Sequence, residues 1–355
     1  MTLTVGVEEE FLLVDADGQL SNRGPEVAHA AHQAEGELET ELTLCQVESA
    51  TGICHTPDEV LGQLNTLRAS LASSARALGL RLLPSGCPVL PEQERPEITP
   101  KPRYERMAEH FGATAREGAT CGCHVHIDMP DRALGVQVIN HTRPWLPALL
   151  ALTANSPFDG LDTGYASWRY QNWSRWPSAG PPPVFASLDE YESTVDALLR
   201  SGAILDKGMV YWDIRLSEHQ PTLEFRVTDV AATAADAALL ATVVRGLVVH
   251  ALDRIAAGVP APPMPQAVLR ANLWCASHSG LRGRSLHPVT GALAPLTDQL
   301  SDLVELLAPA LGPDLEFVLA GLAVLRSAGS GADRQRAVYE RREKLTDVVD
   351  EVALR

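Results

Sequence analysis

Four segments of the chain alternate between apolar and polar positions as half-buried β-strands do: 2–14, 44–48, 121–128 and 222–228. Residues i and i+2 of a strand lie on the same face of its sheet. In the first segment one face is apolar except for Glu9, and it consists of Leu3, Val5, Val7, Phe11 and Leu13. Glu8 and Glu10 lie on the opposite face, so this strand presents two carboxylates side by side.

The other three segments also carry charged or ionisable residues on one face. The residues that share a polar face are Gln46 with Glu48, His124 with His126 and Asp128, and Glu224 with Arg226. A single strand of this kind is typical of an antiparallel sheet with one solvated face. Four such strands, with acids and histidines instead of Thr, Ser or Lys, indicate a chemical site if the strands are neighbours. Their adjacency is inferred from this shared chemistry and not from spacing.

Helical periodicity is clearest in the segment 57–78, where Thr56 is the predicted N-cap and Glu59 completes a capping box. Further helices are predicted at 188–200, 235–257, 296–307, 314–327 and 333–352. Two irregular proline-rich loops, 84–102 and 172–183, and a connector at 258–265 separate these elements. No break divides the chain into compositionally distinct halves. We therefore expect one catalytic domain over residues 1–355, with a largely helical part at 266–355, although length alone would allow two domains.

Composition and charge exclude several kinds of partner and location for this protein. The chain has 45% hydrophobic and 21% charged residues and a net charge of −16, which disfavours nucleic acid and anionic membranes as partners. The apolar stretch 231–252 contains Asp236, Arg245 and His250, so we expect a core helix there and no membrane span. The N-terminus has no signal-peptide pattern and the six cysteines are sparse, which favours a cytoplasmic enzyme.

Four carboxylates on one sheet face would repel one another unless cations lie between them. These four are Glu8, Glu10, Glu48 and Glu224. Oxygen-rich sites with an occasional histidine suit Mg²⁺ or Mn²⁺ better than Zn²⁺. The segment 121–126 offers two cysteines and two histidines, but the sequence has no second ligand pair at zinc-site spacing. A magnesium or manganese site is therefore the favoured prediction.

The same segments carry a family resemblance. In order along the chain the matching motifs are GVEEEFLLVD (6–15), QVE (46–48), CGCHVH (121–126), LTANSP (152–157), YWDIR (211–215), TLEFRV (222–227) and GSGADRQR (329–336). Together they resemble the glutamate–cysteine ligase type 2 family, also called carboxylate–amine ligases. The resemblance implies an α+β fold of the glutamine synthetase and guanidino kinase catalytic-domain type, in which a curved antiparallel sheet carries helices on its outer face.

The resemblance also implies an activity. ATP phosphorylates a carboxylate to an acyl phosphate, and an amine displaces the phosphate to give an amide, ADP and phosphate. The family name points to L-glutamate and L-cysteine as small-molecule substrates. A different amine or acid, a phosphotransferase of the same fold and a non-catalytic binding protein remain as alternatives. A homodimer is the base-rate expectation for its assembly.

Site residues follow from the resemblance together with the face pattern. The expected metal ligands for Mg²⁺ or Mn²⁺ are Glu8, Glu10, Glu48, His124 and Glu224, and the expected catalytic residues are Arg226 and Glu8. The expected ATP contacts are His126, Arg334 and Arg336, and the expected substrate contacts are Asn155, Arg169 and Arg215. Arg226 could instead balance the charge of Glu224, and Arg215 could form a structural ion pair. The segment 329–336 could equally be a helix start with Asp333 as its N-cap.

Overall fold

The computed structural model describes residues 3–31, 37–93, 95–116 and 119–354, with the backbone alone for 37–40. Its strands are β1 (Val5–Val14), β2 (Glu37–Thr40), β3 (Gln46–Ala50), β4 (Arg81–Leu83), β5 (Gly122–Asp128), β6 (Ile214–Leu216), β7 (Thr222–Asp229), β8 (Arg284–Leu286) and β9 (Leu293–Pro295). Seven of them form one sheet in the order β2-β3-β1-β5-β7-β6, and β4 pairs with the end of β1. Strands β8 and β9 form a separate hairpin.

Every strand pair of the large sheet is antiparallel. The four strands with charged faces, β3, β1, β5 and β7, are consecutive neighbours in it. The predicted α+β class with an antiparallel sheet and flanking helices is therefore confirmed, and so is the adjacency of these strands, which was inferred from their shared chemistry.

The helices are α1 (Gly24–Ala30), α2 (Pro57–Ala77), α3 (Pro102–Phe111), α4 (Ala113–Arg116), α5 (Arg132–Thr142), α6 (Leu146–Thr153), α7 (Trp168–Trp173), α8 (Leu188–Ser201), α9 (Ala234–Ala256), α10 (Gln266–Ser279), α11 (Leu296–Leu311), α12 (Leu315–Ala328), α13 (Gly331–Tyr339) and α14 (Leu345–Val352). Helix α2 begins at the predicted N-cap, where the Thr56 hydroxyl accepts a hydrogen bond from the Glu59 backbone N–H at 3.2 Å. The Glu59 carboxylate accepts from the backbone N–H of His55 and not of Thr56, which differs from the predicted capping box.

The segment predicted as one helix at 333–352 is two helices, α13 and α14, separated by a turn in which Glu343 has a φ of 53°. Helix α13 begins earlier than predicted. Its N-cap is Ser330, whose side chain accepts from the backbone N–H of Asp333, and the Asp333 carboxylate bonds back to Ser330. Asp333 as N-cap was therefore wrong, because this residue is the third helical position of a capping box.

Helix α9 packs at the centre of the fold against α2, α11, α5 and α12. Most of its residues are buried, among them Leu240, Val244, Leu247 and Val248. By length and composition, two helical stretches in the described chain could cross a membrane: Ala234–Ala256, 72% buried over its most apolar window, and Leu296–Tyr339, 22% buried. The first stretch is α9, and the second comprises α11 to α13.

The outer face of β1 contains a buried ion pair that explains the interruption by Glu9. Glu9 is 0% exposed, and its carboxylate accepts two hydrogen bonds from Arg68 of α2 at 2.6 and 2.8 Å. Arg68 also donates to the backbone carbonyls of Ala231 and Ala232, just before α9. One guanidinium thus joins the central strand to helix α2 and to the segment that leads into α9.

Replacing Arg68 by Met is expected to destabilise the protein by about 3–5 kcal/mol, because it leaves the Glu9 carboxylate buried without a cation. Replacing both residues, as Glu9→Leu with Arg68→Met, should recover much of this loss. Urea unfolding measures the free energy of each variant. Arg342→Met is the surface control, since Arg342 is 62% exposed in its pair with Asp347 and should cost under about 1 kcal/mol. Equal losses of unfolding free energy in Arg68→Met and Arg342→Met would contradict a structural role for the buried pair.

Candidate active site

The strand register brings the predicted polar residues face to face. The paired positions are Glu10 with Glu48, Glu8 with His124, His126 with Glu224, and Glu224 with Arg215. A register shift between Cys123 and Val125 places two residues of β7 opposite one residue of β5. Arg226 lies in this bulge and its side chain stays on the same side as Glu224, where the two are hydrogen-bonded.

These side chains line a cleft of about 290 Å³ on the face of the sheet opposite α2 and α9. Of the predicted site residues, the cleft contains Glu8, Glu10, Glu48, His124, His126, Arg215, Glu224 and Arg226. Additional residues that the sequence analysis did not select include Glu41, Arg103, Tyr104, Trp173, Trp176 and Tyr211. The cleft therefore combines a carboxylate floor with an aromatic wall.

The first cluster of possible metal ligands is Glu10, Glu41 and Glu48, whose nearest ligand atoms lie within 4.8 Å of one another. Burial, with the charge of Glu41, raises the pKa of Glu10 to about 7. Burial and a hydrogen bond with Glu41 raise the pKa of Glu48 well above its ordinary value. Burial is the larger cause of these pKa shifts, and the closeness of three carboxylates adds to it. A divalent cation would offset the repulsion among them.

The second cluster is Glu8, His126 and Glu224, again within 4.8 Å of one another. The Glu8 carboxylate lies 3.2 Å from Nδ1 of His124 and 3.1 Å from Nε2 of His126. Burial acts to raise the pKa of Glu8, but hydrogen bonds with the two histidines hold it well below its ordinary value. Burial and the nearby Arg226 lower the pKa of His124 to about 4, so His124 is neutral at pH 7 and can act as a nitrogen ligand.

Two arginines hold Glu224 in place. Arg215 donates to both Glu224 oxygens, at 2.6 and 3.1 Å, and also to the backbone carbonyls of Gly208 and Val210. Arg226 donates to the same carboxylate and lies 3.4 Å from Nδ1 of His124. Burial acts to raise the pKa of Glu224, but the charges of Arg226 and Arg215 hold it well below its ordinary value. Both ion-pair alternatives from the sequence are therefore present in the structure.

The residues of the cleft fit divalent cations. Nε2 of His124 is buried without a hydrogen-bond partner in the described part of the chain, whereas Nε2 of His126 lies 3.1 Å from the Glu8 carboxylate. The donor set is otherwise carboxylate oxygen, which suits Mg²⁺ or Mn²⁺. His126, expected near the nucleotide, lies in the same cluster as Glu8 and Glu224, while His124 lies between the two clusters, 3.8 Å from Glu10.

Four predicted contact residues lie outside the cleft lining: Asn155, Arg169, Arg334 and Arg336. Arg169 is buried on α7, 2% exposed. Arg334 pairs with Asp236 at 2.6 Å, and Arg336 pairs with Asp162 at 2.7 Å. Asn155 is buried, and its side chain donates to the backbone carbonyls of Pro84 and Val230. The structure thus places the 329–336 segment at the start of α13, outside the cleft lining, where Arg334 pairs with a residue of α9 and Arg336 with a residue of the loop before α7.

Glu41 is the principal cleft residue that the sequence analysis missed. It precedes β3 by several residues, outside the alternation that identified Glu48. A signal was present in the acid-rich alternation of 37–41, which resembles that of Glu8 and Glu10. The sequence contains a weaker indication of the aromatic wall. The loop at 172–183 was selected for its tryptophans and prolines, but no role was assigned to it.

Comparison with known proteins shows the family of this chain. The model of the family described as "Glutamate-cysteine ligase family 2 (GCS2)" matches residues 4–351. A Rhodococcus jostii protein provisionally named glutamate–cysteine ligase 2-1 is 51% identical over 98% of this chain and 95% of its own length. A Saccharopolyspora erythraea protein with the same provisional name is 49% identical, over 99% of this chain and 94% of its own.

Solved structures share the fold at low sequence identity. The Francisella tularensis glutamate–cysteine ligase in complex with AMP has a TM-score of 0.72 and 14% identity, over 99% of this chain and 88% of that one. A bifunctional glutathione synthetase from Pasteurella multocida has a TM-score of 0.67 and 16% identity, over 99% of this chain and 51% of that one. The family match and the curated relatives define the class of protein as an enzyme of the ligase type. The chain belongs to glutamate–cysteine ligase family 2.

In chelator-treated protein, Glu10→Gln is expected to become more stable relative to the wild type as the pH rises from about 4.5 to 7. The pKa of Glu10 in the folded protein, about 7, is above the ordinary 4.5. The folded wild type therefore holds this proton more tightly than the unfolded chain does. The stability that this provides is complete below pH 4.5 and is lost as the pH rises to 7. Urea unfolding at pH 5 and pH 8 measures the difference.

Asp213→Asn is the matched control, because burial also raises the pKa of Asp213 to about 7, although Asp213 belongs to neither carboxylate cluster. Added Mn²⁺ should remove the pH-dependent penalty at Glu10 and leave that at Asp213. A Glu10 difference that does not change with pH, or that Mn²⁺ does not alter, would contradict the shared-volume explanation.

Proposed function

We propose that this enzyme is an ATP-dependent carboxylate–amine ligase whose catalytic domain is residues 1–355. The single observation that supports this most strongly is the joint presence of two carboxylate clusters and Arg226 on one face of an antiparallel sheet. ATP and a carboxylate substrate repel each other, so a site that joins them needs fixed positive charge and cation-binding groups together.

Divalent cations, Mg²⁺ or Mn²⁺, would be held by Glu10, Glu41 and Glu48 in one cluster and by Glu8, His126 and Glu224 in the other. His124 offers its unpartnered Nε2 between them. When bound, such cations neutralise phosphate charge and favour phosphoryl transfer to a carboxylate oxygen.

The chain's own arginines would then perform two different tasks. Arg226 has a buried Nε without a hydrogen-bond partner in the described chain, so it has donor capacity left for a transferring phosphoryl group. Arg215 is fully engaged by Glu224 and two backbone carbonyls, so we assign it to positioning Glu224 and the loop at 208–210. The substrate contact expected for Arg215 is thereby replaced by a positioning role in this proposal.

The proposed acid is L-glutamate and the amine to test first is L-cysteine, as the names of the relatives suggest. The reaction would pass through a γ-glutamyl phosphate, and attack by the amine would release phosphate. The proposed setting is cytoplasmic, with small-molecule substrates and a homodimeric assembly. A different amine in the same cleft is the main alternative.

Incubation with ATP, Mg²⁺ and L-glutamate plus L-cysteine or a panel of amines, followed by mass spectrometry, tests the proposal. We expect a γ-glutamyl amide, ADP and phosphate in equal amounts with one preferred amine. Amide formation with an amine other than cysteine would retain the ligase and change its substrate. ADP formation without any amide would favour a phosphotransferase, and no nucleotide turnover with intact metal binding would contradict the catalytic proposal.

Arg226→Lys is expected to reduce kcat by about 100-fold or more, since lysine keeps the charge but loses the planar fork of donors. Steady-state kinetics with saturating ATP measures the loss. Arg245→Lys is the matched control, because Arg245 is a buried arginine paired with Asp314 away from the cleft. A near-normal rate for Arg226→Lys would assign Arg226 to charge balance at Glu224 alone.

A further inference from the structure

Helix α12 is apolar on two opposite faces, unlike an ordinary surface helix. Its inner face, packed towards α9, carries Val318, Leu322 and Leu325, which are 0%, 3% and 4% exposed. Its outer face carries Leu319 and Val324, which are 52% and 57% exposed. A helix packed on a core normally presents polar residues to solvent. The outer face of α12 therefore lacks the polar surface that a single chain in water would favour.

The exposed positions of this outer face form one stripe along the helix. Successive residues of an α-helix are rotated by about 100°, so residues three and four apart lie on one side. The residues of this α12 stripe, all exposed, are Glu316, Leu319, Ala320, Ala323, Val324 and Ser327. The two alanines lie along its middle, with Leu319 on one flank and Val324 on the other. Single exposed apolar residues are common, but a contiguous apolar stripe indicates a contact surface.

The two ends of the α12 stripe carry opposite charges. At one end, the Glu316 carboxylate has no hydrogen-bond or ion-pair partner in the described part of the chain. At the other end, Arg326 is exposed, and its Nη2 donates to the Ser301 hydroxyl of α11 at 2.8 Å. Glu316 and Arg326 lie about 15 Å apart along the helix, too far to pair with each other. Each can therefore meet an opposite charge on another molecule.

The apolar surface continues from the Leu319 flank onto helix α11. Arg326 is two turns after Leu319 and lies on the same flank, and its bond to Ser301 shows that α11 runs beside this flank. The short turn Gly312–Asp314 connects the two helices. Leu306 of α11, which is 37% exposed, lies between that turn and Ser301. The exposed apolar surface is therefore wider than one helix.

A second copy of the stripe is complementary to it when the two α12 helices run antiparallel. A two-fold axis through the middle of the stripe places Leu319 of each copy level with Val324 of the other. The same axis brings Glu316 of each copy beside Arg326 of the other, and the central alanines allow the helices to approach closely. A parallel pair would bring like charges together instead. The antiparallel contact is the same on both copies, so the assembly closes at two chains.

We propose that the α12 stripe is the interface of a homodimer, in which α12 packs antiparallel against α12 of a second copy. The partner is a second copy because the stripe is complementary to itself in both apolar surface and charge. The inference goes beyond the proposed catalytic activity, since association requires no turnover. Among the described residues that line the cleft, none belongs to α12, so the dimer leaves both clefts open.

Sedimentation velocity over a range of protein concentrations at physiological salt tests the interface. The wild type is expected to sediment as a dimer. Val324→Lys places two unpaired ammonium groups in an apolar contact and should raise the dissociation constant of the dimer by about 100-fold. Val184→Lys is the matched control, because Val184 is 58% exposed but lies outside the stripe, and it should dimerise as the wild type does.

Reversal of the end charges tests the antiparallel orientation. Glu316→Arg brings two arginines together at each end, and Arg326→Glu brings two glutamates together. Each single variant should therefore raise the dissociation constant by about 10-fold. The double variant restores opposite charges only in the antiparallel arrangement, and it should dimerise nearly as the wild type does. Melting curves at low protein concentration check that each variant is folded, since all the changes are at exposed positions.

A wild type that stays monomeric at every concentration would overturn the proposal. A dimer that Val324→Lys leaves intact, or a double charge reversal that fails to recover the affinity, would also overturn it. Binding to vesicles of phosphatidylcholine and phosphatidylglycerol without any dimer would assign the stripe to a lipid surface instead. A monomer that forms the amide would overturn this inference alone, and a dimer that forms no amide would contradict only the ligase proposal.

Discussion

Repulsion among buried carboxylates is the constraint on which the rest of the structure depends. Antiparallel pairing places Glu10 directly opposite Glu48, and Glu41 joins them within 4.8 Å. Like charges this close oppose folding unless protons or cations neutralise them, which explains why burial and mutual charge raise the pKa values of Glu10 and Glu48. The fold therefore maintains an arrangement that is unfavourable by itself and whose repulsion a divalent cation would offset.

Strand β1 carries this arrangement because its two faces are stabilised in different ways. On its outer face, Glu9 is neutralised by Arg68, which also ties helix α2 to the start of α9. On its cleft face, Glu8 is held by two histidines, while Glu10 has other carboxylates as neighbours. The permanent pairing on one face gives the strand a fixed position, and the other face remains available for ligands. On the same cleft face, Arg215 of the edge strand β6 holds Glu224 in a fixed position in a similar way.

The sequence predicted the sheet class and most of the carboxylate floor, because period-two alternation determines which side chains share a face. It did not predict Glu41, which lies before β3 in the acid-rich alternation at 37–41, a segment that was not selected as a strand. It missed the break between α13 and α14 near Glu343, because charged helix-forming residues continue there without glycine or proline and the chain still turns. Arg334 and Arg336 carried motif similarity, but the partners Asp236 and Asp162 are distant in sequence and no local pattern reveals such pairing.

The most direct test of the account is the number of Mn²⁺ ions that chelator-treated protein binds, measured by electron paramagnetic resonance at pH 7.5. Two carboxylate clusters predict two bound ions per chain, with one site weakened in Glu48→Gln and the other in Glu8→Gln. Two sites that respond separately to these variants would establish that the sheet face is a cation-binding floor. No Mn²⁺ binding in the wild type would contradict the account, since the clustered carboxylates would then serve the fold alone.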